Sequence, residues 1–416
     1  MTRISHRTIE PVLQFGIKRG SLASAGLLLA FAVVSSGCPK AARPPSRPSV
    51  TKVCSGPERC RGRNPRVDDI TILQQPGARP HWAPDGRQLL YDRRGRDGYA
   101  DVLLTDLKGR TVNLTSGKRG IGQKNNGNAV FHPSGDYIVL VSEVSEHFGA
   151  GNKIYGDPGL GLFSNLWAMN REGSKYWQLT DIPIRKHLFG KTPVMGVVNP
   201  HFSQDGSKLM WTERYDGKSG GWGKWRIKMA SFVVADGRPR LENERTVVVP
   251  KKGNYVTGMG FLDPDRLLVA GNLSGQHEWG MDQYVYDLRT GDLRNLTSTP
   301  DYWEEGSAIS PKSKRIVYMT NRDSRYELDR SNRNWSTQPM ERDYWLMTRD
   351  GEDKERLTYF NEPSAPEFLG GRTIVAACEF SPDGRYLAGT LGIDHGTGKQ
   401  RQMTLKVVLI RLKEAL

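Results

Sequence analysis

Phe380-Ser381-Pro382-Asp383-Gly384, followed by the run Tyr386-Leu387-Ala388, reads as the end of one strand, a tight corner and the start of the next. Proline pre-sets the first turn angle, and Asp or Gly tolerates the following one, so the corner has a mechanism as well as a pattern. The same corner stands at Trp82-Ala83-Pro84-Asp85-Gly86, before Leu89-Leu90-Tyr91. Four weaker copies lie between: Phe131-His132-Pro133-Ser134-Gly135, Phe202-Ser203-Gln204-Asp205-Gly206, Phe261-Leu262-Asp263-Pro264-Asp265 and Ile309-Ser310-Pro311-Lys312-Ser313. Six recurrences along one chain indicate a repeat architecture.

Past four of the six corners come two further strand signals, the second ending in Leu-Thr. Ala100–Thr105 precedes Thr111-Val112-Asn113-Leu114-Thr115, and Leu166–Met169 precedes Tyr176-Trp177-Gln178-Leu179-Thr180. Tyr284–Asp287 is followed by Leu293–Thr297, and Tyr344–Met347 by Arg356-Leu357-Thr358. Four short strands per unit predict an all-β chain: a six-bladed β-propeller of four-stranded antiparallel blades. The sixth unit runs out after Leu405–Ile410, and Asp69–Leu73 is the strand available to complete it, closing the ring from both ends of the chain.

These corners and Leu-Thr endings resemble the WD40-like repeats of TolB-type six-bladed propellers. The resemblance covers roughly residues 68–412, most clearly in the first and sixth units. It implies membership of the repeat family and the propeller fold, while a role in the Tol-Pal envelope machinery is an analogy. TolB proteins carry an α/β domain ahead of the propeller, whereas here a spacer of about thirty residues occupies that place.

The net charge of +15 is concentrated near the start: residues 1–70 hold 12 Lys/Arg against 4 Asp/Glu, leaving 48 against 41 for the remainder. A nucleic-acid binder would show a basic stripe interleaved with aromatics across the folded part, so no nucleic-acid partner is expected. Arg3, Arg7, Lys18 and Arg19 form a basic leader ahead of the small, apolar Ser21–Val34, and Ser35-Ser36-Gly37-Cys38 closes it. That ending resembles a bacterial lipobox, with Ser35 where Leu, Val or Ile is usual, and implies acylation at Cys38. An ordinary cleaved signal, with Cys38 incidental, is the alternative. The expected organisation is a signal peptide over 1–37, a Pro- and Lys/Arg-rich tether over 38–67 and the propeller over 68–416. The expected location is the cell envelope, lipid-anchored at the outer membrane and facing the periplasm, the propeller itself monomeric. Cys54 and Cys60 bracket a short loop suited to a local disulfide in an oxidising compartment. Cys378 sits in the apolar run Val375-Ala376-Ala377-Cys378 and reads as a buried small hydrophobe.

In a propeller the corners lie on one face, and the loops from second to third strand, with the links between blades, lie on the other. The long segments of this chain fall in the second group, which makes that face the expected binding surface. Its candidate residues are Arg185, Lys186, His187, His277, Trp279, Tyr302, Trp303, Glu304, Glu305 and His395. An aromatic and charged rim suits an envelope protein or a peptidoglycan-associated partner, and the expectation is a scaffold without chemistry of its own. Four histidines, His147, His187, His277 and His395, fall on different units without ligand spacing, so neither metal nor other cofactor is expected. A polysaccharide lyase or hydrolase using the same face is the alternative. Gly217-Lys218-Ser219-Gly220-Gly221 imitates a nucleophile elbow but lacks the following helix.

Overall fold

The computed structural model describes residues 51–52, 62–147, 153, 155–184, 194–216, 223–251, 254–311, 315–331, 338, 340–394 and 403–416. Cys38, Cys54, Cys60, Arg185, Lys186, His187 and His395 lie outside them. The described chain is all-β. After β1 (Thr51–Lys52) and β2 (Val67–Gln74), blade 1 comprises β3 (Ala78–Trp82), β4 (Gln88–Arg94), β5 (Ala100–Asp106) and β6 (Thr111–Asn113). Blade 2 comprises β7 (Asn126–Phe131), β8 (Tyr137–Glu143), β9 (Ser164–Asn170) and β10 (Tyr176–Gln178). Blade 3 comprises β11 (Gly196–Phe202), β12 (Lys208–Arg214), β13 (Trp225–Ala235) and β14 (Arg238–Val248). Blade 4 comprises β15 (Val256–Asp263), β16 (Arg266–Gly271), β17 (Asp282–Asp287) and β18 (Leu293–Asn295). Blade 5 comprises β19 (Glu305–Ile309), β20 (Arg315–Thr320), β21 (Asp343–Thr348) and β22 (Glu355–Arg356). Blade 6 comprises β23 (Arg372–Phe380), β24 (Tyr386–Asp394) and β25 (Met403–Leu412). In this last sheet β2 pairs antiparallel with β25, Thr71 opposite Leu409, and β1 adds to its outer edge.

The corners form as local turn chemistry dictates. Gly86 N donates to the Ala83 carbonyl at 2.9 Å, and Gly384 N to that of Ser381 at 2.8 Å. The Asp85 and Asp383 carboxylates accept the N–H groups of Arg87 and Arg385 at 2.9 and 3.0 Å. Gly86 and Gly384 take φ of 68° and 70°, a region costly to any residue with a Cβ.

The Leu-Thr endings also have a physical cause. Thr115 Oγ1 donates to Asp101 Oδ1 at 3.0 Å, and accepts the Val102 N–H at 3.1 Å. Thr297 repeats this on Asp282 and Gln283, and Thr358 on Asp343 and Tyr344. Thr180 does so on Asn165 and Leu166. Each latch ties the end of the short outer strand to the start of the third. It satisfies a carboxylate or amide, half-buried at Asp101 and buried at Asn165, Asp282 and Asp343, that would otherwise cost free energy.

Apolar cores fill the spaces between adjacent blades. Ala83, Leu90 and Val102 of blade 1 meet Phe131, Ile138 and Leu140 of blade 2, and Val139 and Leu166 meet Val197 and Trp211 of blade 3. Middle strands are covered on both faces, which is why they read as continuous apolar runs. Inner strands β3, β7, β11, β15, β19 and β23 pack successively around the axis and line the central space.

Candidate functional site: a funnel on the corner face

All six inner strands carry an irregularity in their pairing with the next strand at the same place, just before the corner. Register shifts fall between Ala78 and His81, Gly127 and Val130, Val198 and His201, Gly258 and Gly260, Glu305 and Ala308, and Val375 and Cys378. Arg79, Asn128, Asn199 and Gly306 take positive φ there, between 48° and 58°. Bulges of this kind re-aim the side chains that follow. The result is a cavity of about 680 Å³ whose lip includes corner residues Pro84, Pro133, Pro264, Pro311 and Pro382.

The residue immediately before each corner aromatic or isoleucine lies on this wall. Around the ring these are His81, Val130, His201, Gly260, Ala308 and Glu379. Blades 1, 3 and 6 therefore contribute two imidazoles and a carboxyl, while blades 4 and 5 contribute almost no side chain. His81 Nε2 lies 3.0 Å from Glu379 Oε1, and the Trp82 N–H donates to Glu379 Oε2 at 2.6 Å. His81 Nδ1 is 3.1 Å from the Trp82 carbonyl. Burial pushes the Glu379 carboxyl up to about 8. Burial, with His201 nearby, brings His81 down to about 3, and burial takes His201 to about 4. The backbone of Gly258 opposes that fall for His201. His81 Nδ1 stands between the Trp82 carbonyl and the Phe131 N–H, which approaches it at 3.3 Å: protonated it donates to the carbonyl while Nε2 accepts from a neutral Glu379, and unprotonated it accepts from Phe131 while Nε2–H donates to Glu379.

The floor is polar and internally bonded. Asn128 Nδ2 donates to Asn199 Oδ1 at 3.1 Å, and Asn199 Nδ2 to Thr257 Oγ1 at 3.0 Å. Arg79 is held by Asp92 and, at 3.0 Å, by Asp157, which also pairs with Arg94 at 2.8 Å. Cys378 Sγ lies 3.3 Å from the Gly306 carbonyl, and burial pushes its thiol up, away from thiolate chemistry.

The described candidates from the long-link face occupy different surroundings. Trp279 and Trp303 are buried, stacked with ring centroids 5.3 Å apart, and the Arg342 guanidinium lies 4.3 Å from the Trp303 ring centre. Glu304 and Glu305 are wholly buried. Glu304 accepts from Thr320 at 3.2 Å and Arg322 at 3.4 Å, while Trp303 Nε1 donates to Glu305 Oε2 at 3.2 Å. Burial raises both carboxyls, Glu305 to about 8. These four side chains are packed into the protein and form no open rim, because inter-blade packing takes up their aromatic and polar surface. His277 is half-buried, its Nδ1 accepting the Trp279 N–H at 3.2 Å, and half-buried Tyr302 lies under Arg322. His147 is buried, stacked on Phe163 at 3.8 Å and bonded to Glu143 at 2.5 Å. The described residues contain no cluster of His, Cys, Asp and Glu that could hold a metal.

The funnel residues went unread in the sequence, although a signal exists. Aligned on the corner aromatics, the preceding column reads His, Val, His, Gly, Ala, Glu where a purely structural repeat would be uniform.

No family model matches the chain, and no curated protein matches it. Among solved structures the propeller is similar to TolB from Acinetobacter baumannii, at 13% identity and TM-score 0.45, covering 79% of this chain and 64% of that one. It is similar to XC5397 from Xanthomonas campestris, described as a gluconolactonase, at 13% identity and TM-score 0.48, covering 89% and 99%. It is also similar to the oligogalacturonate lyase VPA0088 from Vibrio parahaemolyticus, at 11% identity and TM-score 0.46, covering 87% and 97%.

Proposed function

We propose that this propeller is a non-catalytic binding module that receives a protruding segment of a protein partner in the corner-face funnel. The partner is an envelope protein or a peptidoglycan-associated one. The observation that carries this reading is the funnel itself: a concave site with rigid proline corners, apolar walls and a few convergent polar groups. Its thiol is disfavoured as a nucleophile and both His81 ring nitrogens are engaged, which favours capture over chemistry.

Photo-crosslinkers at Gln204 on the lip, Ser274 on the opposite face and Arg245 on the outer strand of blade 3 test it, each position being exposed. A partner trapped from Gln204 and not from Arg245 supports the funnel. Capture from Ser274 alone overturns it in favour of the long-link face. The same proposal anchors the chain through acylated Cys38 at the outer membrane, facing the periplasm. Cys38→Ala should then release the protein from the membrane fraction, and unchanged retention would refute the anchor.

A second reading, a polysaccharide-active lyase or hydrolase, is favoured by one feature. The raised acid Glu379 and the His201 imidazole, held neutral by burial, line the same cavity, as an acid and a base would. Cleavage of an acidic oligosaccharide, abolished by both Glu379→Gln and His201→Ala, would establish it.

A further inference from the structure

We propose that the blade 5 wall of the funnel receives an acidic side chain, an aspartate or glutamate of the partner's inserted segment, its carboxylate seated on the N–H and hydroxyl of Ser307. This rests on the funnel reading above and adds the chemistry of what the funnel selects.

The ring of residues two positions before each corner aromatic or isoleucine singles out Ser307. Around the axis it reads Pro80, Ala129, Pro200, Met259, Ser307 and Cys378, all on the funnel wall. The prolines bring no N–H, alanine and methionine no side-chain donor, and the Cys378 thiol lies against the Gly306 carbonyl at 3.3 Å. Ser307 brings a hydroxyl, and its Oγ is buried with no hydrogen-bond partner among the described residues. Its N–H meets the thioether sulfur of Met259 at 3.4 Å, a weak acceptor. Neighbouring bulges give their N–H groups to oxygen instead, Arg79 to Thr390 Oγ1 at 2.7 Å and Gly258 to Thr212 Oγ1 at 2.9 Å. Ser307 thus presents two donors from one residue, and buried donors of this kind are ordinarily satisfied. The sulfur in front of them can withdraw, because the methionine side chain is unbranched and has three rotatable bonds.

The lip sets the sign of the charge. Arg349, on the turn after β21 of the same blade, lines the cavity with its Nε buried, and neither a hydrogen-bond partner for Nε nor a carboxylate for the guanidinium is present among the described residues. Lys208, at the start of β12, bonds the Pro264 carbonyl at 3.3 Å and likewise has no carboxylate among them. The acids of the wall are already engaged: Asp263 by Arg266 at 2.7 Å, and Asp205 by Ser203 and Ser207 inside its own corner. Burial raises Glu379 to about 8 and so keeps it from opposing an anion. A carboxylate is therefore drawn in by two unmatched cations at the lip, and its bonds to the Ser307 donors are charge-assisted.

The experiment uses the whole propeller, labelled at methionine methyl groups, with Met259 beside Ser307 as reporter. Probes are n-hexanoate, hexanamide, Nα-acetyl-glutamate methylamide and galacturonate. Hexanoate and the glutamate amide should shift the Met259 signal saturably, with hexanamide about tenfold weaker or worse. Ser307→Ala should weaken both carboxylates about tenfold, and Arg349→Gln should independently narrow the gap between hexanoate and hexanamide, in variants whose melting shows a folded ring. Equal binding of hexanoate and hexanamide would overturn the carboxylate while leaving the funnel as a ligand site. Full carboxylate affinity in Ser307→Ala would overturn the seat. Tighter binding of galacturonate than of the glutamate amide would overturn assignment to a protein segment in favour of an acidic sugar. No shift with any probe would overturn the inference, whereas the funnel reading itself stands or falls on the Gln204 crosslink.

Discussion

His81 and Glu379, 298 positions apart in the chain, face one another at 3.0 Å across the seam between the first and last blades. The adjacent Trp82 N–H bonds the same carboxyl, so one acidic side chain both joins the seam and lines the funnel. Its protonation therefore bears on folding as well as on binding.

Glu379 has a folded pKa of about 8 against an ordinary carboxyl value of 4.5. A raised carboxyl contributes its stability fully below the unfolded value and loses it as pH rises through the folded value. Glu379→Gln keeps the neutral shape at every pH. The melting temperature of the variant should rise relative to the parent between about pH 5 and pH 8, and the difference should level off above that. A constant difference across the range would mean that the carboxyl is ionised in the folded ring.

Thr358→Val removes a latch hydroxyl while preserving shape. Asp343 then loses the donor at 2.8 Å, and the Tyr344 N–H loses its acceptor at 3.0 Å, both in buried surroundings. The expected loss is about 1–3 kcal/mol in urea unfolding. An unchanged midpoint would show that the Leu-Thr ending is not a latch.

Trp303→Ala should destabilise the ring by about 3–5 kcal/mol, because it removes a wholly buried indole stacked on Trp279. Read from sequence, Trp303 belongs to a binding rim, and its loss should then weaken capture without affecting folding. Differential scanning calorimetry separates the two outcomes.

Gly280→Ala places a Cβ 1.9 Å from the Pro300 carbonyl oxygen, a backbone atom with no side-chain freedom to withdraw. The expected cost is about 1–3 kcal/mol or a displaced loop, visible as a lowered unfolding midpoint. Alanine at exposed Gly275 makes a poor control, since its φ is 85°. Val249→Ala, at an exposed position with no hydrogen-bonding side chain, is the better reference.

Blade number and corner positions were legible because a proline corner is local chemistry, decided within five residues. The Leu-Thr endings were legible as a pattern, but their cause was not, since Thr115 acts on Asp101 across a hairpin. The outer strand of blade 3 escaped notice because Arg238–Val248 is largely exposed and carries no aliphatic run until its end. The surroundings of Trp279, Trp303, Glu304 and Glu305 were not legible, because burial in a ring depends on what the neighbouring blade presents. Trp303 and Arg342 meet through folding alone. Conversely, His81, His201 and Glu379 lie far apart in the chain, and only a closed ring brings them to one wall.

The pairing of β2 with β25 also has a mechanical meaning. Tension applied ahead of Thr51 would first meet the rungs of β1 on β2, Thr51–Ile72 and Lys52–Thr71, and then the bonds from the Arg63 N–H to Glu367, at 3.1 and 3.2 Å. It would then run lengthwise along β2, so that the rungs from Val67–Leu412 to Gln74–Val407 resist sliding together instead of opening one by one. A propeller closed in this way is a shackle as well as a receptacle: the strand that completes the circle is also the one through which a pull on the leading segment reaches the whole ring.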